Sequence, residues 1–383
     1  MEAIRSFGSD GWLGTLHTLL LMDDTVIFAT SKANLEIKLR LLKDSADRLG
    51  MEIHPTKSKF LCVNSDDKSP IFIDSVKVSY TELYLYLGSI ISMESVATQV
   101  KHHFKDKHKH VIKFYTFLYK NNDVPYHVKK AVWESAVTST LFYGAETWLT
   151  KDLSIAESTY LATVKRMLGV RPTTTTDLVL IEAGLPTPKA LIQQKQHAFI
   201  CKLTSREDFY ESYVGKAVSM AIHRKTPAGK LIQSYMRTPP SHDFAAASME
   251  RLRVSVMEST SSRREAYKLM NPDLSLHFVY SPQSQVPEYC RTAFTRLRLQ
   301  SHRLKIETGR WTRPVTPKEL RQCVCKEVQT EEHILLSCPL TAELRSNDFF
   351  TQYTDIGSLF DCSDNESAIR VCKLCHCAIN IFI

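Results

Sequence analysis

The sequence predicts an α+β fold in which short strands come first and helices follow. Apolar runs of strand length, separated by turn residues, occupy the chain up to about residue 94. From Ser95 onward, apolar residues recur instead at helical spacing. Seven of the ten cysteines lie at or after Cys323, which separates a C-terminal region from the helical one.

The first part begins with a predicted hairpin between Leu16 and Thr30. Its two apolar halves are typical of buried strands, and they flank an acidic turn at Asp23–Asp24. Ser31 is positioned to cap the amphipathic helix that follows, and Gly50 to end it. Further strands are predicted at 59–63, 71–73, 76–80 and 83–87.

The second part is predicted to be helical, with an interruption at the threonine-rich stretch 170–176. Residues 226–243 are rich in Pro, Gly and Ser and are predicted to be loosely ordered. Helices are predicted at 95–119, 126–141, 153–168, 189–204, 246–270 and, as a basic helix, 288–306.

Composition narrows the class of protein and of partner. No apolar run approaches the roughly 20 residues of a membrane span, and the N-terminal residues lack the layout of a signal peptide. The expected location is therefore intracellular, nuclear or cytoplasmic, with no membrane partner and with cysteines as thiols or metal ligands. The net charge of +8 favours an anionic partner such as RNA or DNA.

Asp23 and Asp24 form the first candidate site. Buried strands avoid carboxylates, whereas nucleotidyl transfer uses carboxylates to hold two Mg²⁺ ions. The alternative is an ordinary acidic turn, because Asp is a favoured turn residue.

The segment 289–326 is the second candidate site, for contact with nucleic acid. It holds ten basic and two acidic residues, a net charge of +8 that equals that of the whole chain. The alternative is a solvated amphipathic helix, and both interpretations can hold at once. The candidate contacts are Arg291, Arg296, Arg298, Arg303, Arg310, Trp311 and Arg313, with Lys57 and Lys59 as further phosphate contacts or a solvated surface pair.

Cys323, Cys325, His333 and Cys338 form the third candidate site. Three thiolates and one imidazole are the usual ligands of a closed Zn²⁺ site, with His333 and Cys338 expected on a short helix. The alternative is three unrelated thiols beside a helix histidine. Four further cysteines could form a second zinc site or belong to a disordered or incidental thiol-rich tail: Cys362, Cys372, Cys375 and Cys377.

Four stretches resemble non-LTR (LINE-type) retrotransposon reverse transcriptases, in the order of that family. Leu21–Ala29 resembles the catalytic core, Leu49–Lys59 the following Leu-Gly-x-x-Ile motif, Tyr86–Ser92 the primer grip and Leu141–Trp148 a thumb signature. Glu332–Leu340 also resembles the zinc-knuckle-like motif of these polyproteins. The sequence departs from the family at Leu21 and Met22, which precede the aspartate pair.

The resemblance implies a domain order along the chain. It comprises a partial palm (1–94), a helical thumb (95–170), a helical linker (171–288), a basic helix with a zinc-knuckle-like module (289–345) and a tail (346–383). In the family, Mg²⁺ is held by the aspartate pair together with a third aspartate on an earlier palm strand. Only 22 residues precede Asp23, and among them Asp10 stands in a turn-like setting.

The expected function is therefore that of a truncated RNA-directed DNA polymerase, with this chain inactive alone. Whether the chain is an enzyme stays open. The alternative is a non-catalytic protein that binds RNA or DNA through thumb and zinc knuckle, and a third is a reading frame without a selected role. Protein partners are not predicted.

Overall fold

The computed structural model describes residues 18–63 and 66–382 and is α+β, as predicted. Its strands pair into small sheets: the antiparallel hairpins β1–β2 and β6–β7, and a three-stranded sheet of order β3-β5-β4. The strands are β1 (Thr18–Leu21), β2 (Asp24–Ile27), β3 (Lys59–Phe60), β4 (Ile71–Ile73), β5 (Val76–Tyr80), β6 (Leu83–Tyr86) and β7 (Ser89–Ser92).

Helices make up most of the remaining structure. A π-helical stretch, Trp133–Thr138, joins two of them into one continuous helix, as expected for 126–141. The α-helices are α1 (Lys32–Arg48), α2 (Val96–Lys120), α3 (Tyr126–Val132), α4 (Ser139–Leu141), α5 (Ser154–Leu168), α6 (Thr176–Ala183), α7 (Pro188–Thr204), α8 (Tyr213–His223), α9 (Pro227–Arg237), α10 (Phe244–Met257), α11 (Ser262–Met270), α12 (Glu288–Arg298), α13 (Lys305–Thr308), α14 (Ile356–Phe360) and α15 (Asn365–Ile381).

The chain divides into two compact units. Of the described residues, unit 1 takes those within 18–103, Gly144–Asp152 and Lys195–His242. Unit 2 takes Phe104–Tyr143, Leu153–Gln194 and the described residues from Asp243 to Phe382.

In unit 1, α1 packs against the three-stranded sheet around Ile71, Ile73 and Val78. The predicted helix signals are confirmed. The Ser31 hydroxyl accepts a hydrogen bond from the Asn34 amide at 3.2 Å, and Gly50 follows the helix at φ +69°, a left-handed conformation that favours glycine.

The hairpin β1–β2 forms as predicted, but the expectation that its strands are buried is wrong, because β1 is mostly exposed and β2 is at most half-buried. Leu19, Leu20 and Leu21 are 42 %, 52 % and 50 % exposed. The reason is the sheet's size, because α1 contacts β2 while β1 has no further strand beside it among the described residues.

A second part of unit 1 is organised around Gly144. It has φ +73°, and a Cβ there would lie 2.7 Å from the Ser89 hydroxyl, so a side chain is excluded both by conformation and by space. The buried Gln196 amide donates to the carbonyl of Trp148 at 2.6 Å and accepts from the Tyr235 hydroxyl at 2.6 Å. These contacts fix the turn that follows Leu141 in the predicted thumb signature.

Unit 2 is organised around buried charges. Glu182, the single acid on the buried stretch of α6, accepts from Arg298 Nε at 2.8 Å and from the Tyr267 and Tyr280 hydroxyls at 2.7 and 2.5 Å. Burial alone would raise the pKa of Glu182, but the Arg298 charge and these hydrogen bonds outweigh it and hold the pKa below its usual value.

A second buried cluster joins the first through Tyr280. Glu288 accepts from Lys129 Nζ at 2.6 Å and from both Nε and Nη2 of Arg291, at 2.7 and 2.6 Å. Arg291 Nη1 donates to the Thr295 hydroxyl at 2.9 Å, and that hydroxyl lies 2.7 Å from the Tyr280 hydroxyl. Helix α12 is thus fixed by hydrogen bonds on its buried face.

Two predictions about disorder are wrong. Within 226–243, Thr226 caps α9 and Pro227 occupies its first turn, a position that proline tolerates. Gly229 packs so closely on α8 that a Cβ would lie 2.1 Å from the Ala221 carbonyl oxygen. Proline and glycine counted towards the prediction of a loosely ordered stretch, yet here they serve as a helix start and a close helix contact.

The predicted tail likewise contains α15, which is capped by Asp364 and packs on α12. The predicted basic helix is shorter than expected. It breaks after α12, where Gln300 takes a positive φ of 51°, and resumes as α13. Among the residues described, no helix combines the length and apolar character needed to cross a bilayer.

The Arg298 pair provides a test of the fold. Arg298→Ala would leave Glu182 buried without its cation, and we expect the free energy of unfolding to fall by about 3–5 kcal/mol. Arg251→Ala, at an exposed arginine of the same unit, should change it by less than about 0.5 kcal/mol. Urea unfolding of both variants measures this, and equal effects would show that the buried pair does not stabilise unit 2.

Candidate metal centre and basic surface

Cys323, Cys325, His333 and Cys338 lie together, as predicted from their spacing. One ligand atom from each lies within 4.8 Å of all the others. The Cys323 and Cys338 sulfurs are 3.7 Å apart, close to the edge of about 3.8 Å that Zn–S bonds of about 2.3 Å give in a tetrahedron. Cys325 Sγ lies 3.1 Å from His333 Nε2.

A tight turn presents the first two cysteines. The Cys323 amide donates to the Glu327 carbonyl at 2.7 Å, and the Lys326 amide donates to the Cys323 carbonyl at 3.0 Å. Lys326 has φ +73°, which closes the turn directly after Cys325. A short bridge between Gln322 and Val328 continues the pairing on either side.

A single π-helical turn presents the other two ligands. His333–Ser337 form this turn, and the Cys338 amide donates to the His333 carbonyl at 2.8 Å. An i→i+5 bond brings residues five apart onto the same side of the turn. This explains physically why four residues separate His333 from Cys338.

The neighbouring groups orient these ligands. The second ring nitrogen of His333, Nδ1, lies 3.3 Å from the Ser337 hydroxyl, so Nε2 is left for a metal. The Arg345 guanidinium donates to the Cys338 carbonyl at 2.8 Å. Sequence reasoning missed both residues, although a serine four positions after the histidine is a signal for the first.

The thiols differ in their protonation equilibria. Burial raises the pKa of Cys338 to about 11, with the neighbouring Cys323 sulfur as a further cause. Burial also disfavours the Cys323 thiolate, but hydrogen bonds from Cys325 and Cys338 outweigh it and lower its pKa. Such closely spaced thiols suit a divalent cation, which would hold them as thiolates.

Residues 321–345 carry the four candidate ligands, and we call them the metal module. This module is anchored to the helical part of unit 2. His302 Nε2 lies 2.8 Å from a Glu331 carboxylate oxygen, and both side chains are buried. The Lys305 amide donates to Gln329 Oε1 at 2.7 Å, and Arg321 Nη1 donates to the Ile306 carbonyl at 2.8 Å. The metal centre is therefore continuous with the basic segment before it.

Comparisons with protein-family models, curated proteins and solved structures return no match. Each site is therefore interpreted from its own geometry.

Asp23 and Asp24 are exposed at the tip of the β1–β2 hairpin, the place that the sequence predicted. No third His, Cys, Asp or Glu joins them into a metal-holding group within 18–63 and 66–382. Asp10, the candidate named in the sequence, lies outside the described residues. A magnesium site at this pair has no support from the geometry.

The basic candidates separate into buried and exposed side chains. Arg291 and Arg298 are 1 % and 0 % exposed and fully paired, so the prediction that they contact nucleic acid is wrong. The helical spacing in the sequence is a signal of this burial, because Arg291 and Arg298 lie three and four positions from Phe294 and therefore share its buried helix face. The exposed or half-exposed candidates are Lys57, Lys59, Arg296, Arg303, Arg310, Trp311 and Arg313.

Two of the exposed candidates are already engaged. Arg310 forms an ion pair with the buried Glu307 at 2.9 Å. Trp311 is 44 % exposed, with the Arg171 guanidinium 4.2 Å from its ring centroid on one side. A base could therefore stack only on the free part of that ring.

The remaining cysteines do not form a second metal centre among the described residues. Cys362, Cys372 and Cys375 are buried, and burial raises the pKa of each. Cys372 and Cys375 lie on α15, and Cys377 is exposed on that helix. Three of these thiols act as small apolar core residues of α15 and its neighbours.

Metal content tests the centre directly. Protein purified without chelator should carry about one zinc ion per chain, because its four ligands match those of a closed structural site. Cys323→Ser should remove that zinc and lower the melting temperature. Cys377→Ser, at an exposed cysteine outside the centre, should change neither.

Inductively coupled plasma mass spectrometry and thermal melts provide the two readouts. Wild-type protein without zinc, or Cys323→Ser with wild-type zinc, would show that these four side chains do not bind it.

Proposed function

We propose that this chain is a zinc-stabilised nucleic-acid-binding protein that descends from a LINE-type reverse transcriptase. The candidate metal centre carries this proposal, because its four potential ligands are those of a structural zinc site and lie beside a densely basic stretch of unit 2. Zinc would be structural here, because four side chains complete its coordination and leave no open position for a substrate.

The exposed charges favour an anionic partner. After the paired arginines are set aside, exposed cations remain on the segment that leads into and through the metal module: Arg296, Arg303, Lys305, Arg313, Lys318 and Lys326. Cations of this kind bind phosphates without reading base sequence, so RNA and single-stranded DNA are both expected ligands.

Descent from a reverse transcriptase rests on the sequence resemblance. The aspartate pair at a hairpin tip and the glycine turn at Gly144 are local structures compatible with it. Catalysis is the second candidate function, and the exposure of Asp23 and Asp24 is the observation that favours it. It would need a further carboxylate that the described residues do not bring to this pair.

Binding is tested with a labelled single-stranded RNA and the variant Arg313→Gln/Lys318→Gln. If both cations contact phosphates, the affinity should fall, and the slope of log K against log salt should shrink by about 1.4, or about 0.7 for each contact. Fluorescence anisotropy across a salt series measures this. Arg251→Gln is the matched control, since that arginine is exposed on unit 2 outside the basic segment.

Wild-type protein that fails to bind RNA or DNA at low salt would contradict the proposed function. Equal slopes in all three proteins would place the binding surface elsewhere.

Catalysis is tested by primer extension with Mg²⁺ or Mn²⁺. We expect the purified chain to give no template-dependent extension, because Asp23 and Asp24 lack a third carboxylate among the described residues. Extension that Asp23→Asn abolishes would overturn this expectation and establish polymerase activity. Extension that survives Asp23→Asn would indicate a contaminating enzyme.

A further inference from the structure

Three arginines line one cavity of unit 2, next to the metal module. The cavity has a volume of about 380 Å³ and is lined by Gly169, Val170, Arg171, Arg296, Ser301, His302, Arg303 and Ile379. We call it the arginine cavity. No carboxylate belongs to this lining, which is drawn from the described residues. It gathers cations from a loop, from α12 and from the break after α12.

Two of these arginines keep guanidinium nitrogens available. Arg296 is exposed and uses Nε to donate to the Gly169 carbonyl at 2.8 Å. Arg303 is exposed, and no ion pair forms on it within the part of the chain that the structure describes. Both can therefore turn their terminal nitrogens towards a ligand without breaking a buried contact.

Arg171 is held in a fixed position at the cavity wall. Its Nη2 donates to the Gln300 carbonyl at 2.7 Å, and its guanidinium lies 4.2 Å from the centroid of the Trp311 ring. Its Nε is buried and has no acceptor among the described residues. Burial lowers the pKa of Arg171, and the nearby Arg263 and Arg303 charges act in the same direction.

Ser301 provides a second donor that lacks an acceptor. Its hydroxyl oxygen accepts from the Arg171 amide at 2.8 Å and from the Thr174 hydroxyl at 3.2 Å. These two bonds use both lone pairs of the Ser301 oxygen. The hydroxyl can therefore form a further hydrogen bond only as a donor, and it has no acceptor among the described residues. Buried donors are rarely left in this state.

Glu307, the acid whose charge acts on Arg171, does not neutralise this cluster of arginines. The Glu307 charge interacts with that of Arg171, but its two carboxylate oxygens already form ion pairs with Arg263 at 2.9 Å and with Arg310 at 2.9 Å. The cavity thus combines two exposed cations, Arg296 and Arg303, with one fixed cation, Arg171, and with free donors. This is the chemistry that tetrahedral oxyanions with several acceptor oxygens require.

We propose that the arginine cavity binds a phosphate group of a nucleic-acid backbone, an inference that rests on the proposed function. Arg296 and Arg303 contact the phosphate from the open side. Arg171 Nε and the Ser301 hydroxyl donate to it from the wall. The His302–Glu331 contact joins the same wall to the metal module, so zinc stabilises the geometry of the cavity.

The test uses the full chain with its zinc and the variant Arg296→Gln/Arg303→Gln. With labelled single-stranded RNA, the slope of log K against log salt should shrink by about 1.4, as expected for two lost phosphate contacts. Arg251→Gln, an exposed arginine away from the cavity, should keep the wild-type slope. An unchanged slope in the double variant would overturn the cavity proposal while RNA binding itself stands.

A second probe separates failure of the cavity from failure of the proposed function. Inorganic pyrophosphate is titrated into wild-type protein and into Arg303→Gln, and the heat of binding is measured. Pyrophosphate binding that Arg303→Gln weakens at least several-fold would support the cavity even if no RNA binds. Absence of pyrophosphate binding together with absence of RNA binding would overturn both proposals.

Thermal melts check that the variants are folded. Arg303→Gln changes an exposed side chain without a buried contact, so it should keep the wild-type melting temperature. If the double variant melts early, Arg303→Gln alone decides the proposal, with an expected slope change of about 0.7.

Discussion

The pairing of buried charges on α12 is the constraint on which the rest of unit 2 depends. Arg298 and Glu182, in the core, satisfy each other and two tyrosine hydroxyls, while Arg291 and Lys129 satisfy Glu288. Ions removed from water are tolerated only when their hydrogen bonds are nearly complete, so α12 has one orientation. That orientation turns Arg296 outward and places the break after α12 beside the metal module.

The metal module inherits its position from this arrangement. A small unit with one short bridge and single helical turns buries little apolar surface of its own, so a bound ion would contribute directly to its stability. Its contacts through Glu331 and Gln329 reach residues just after α12. The candidate metal centre, the buried ion pairs and the exposed cations are therefore linked by direct contacts within unit 2, and the proposed phosphate contact depends on all three.

Much of the local structure could be predicted from the sequence because its causes are local. The Ser31 cap, the helix end at Gly50 and the hairpin around Asp23–Asp24 each follow from a few neighbouring residues. Errors arose where a residue type has two physical uses. Pro227 counted towards the prediction of a loosely ordered stretch and instead begins α9. The apolar β1 was interpreted as buried, but burial needs a partner that sequence periodicity alone does not identify.

For the candidate sites, the sequence by itself determined the four candidate metal ligands, because the spacing of Cys323, Cys325, His333 and Cys338 matches a turn and a single π-helical turn. It also determined that the segment 289–326 is basic. Only the tertiary structure decided which of those cations reach solvent, since Arg298 finds its partner Glu182 more than a hundred residues away. Long-range pairing of charges leaves no local signal, and the same is true of the meeting of Arg171 with Arg303 at one cavity.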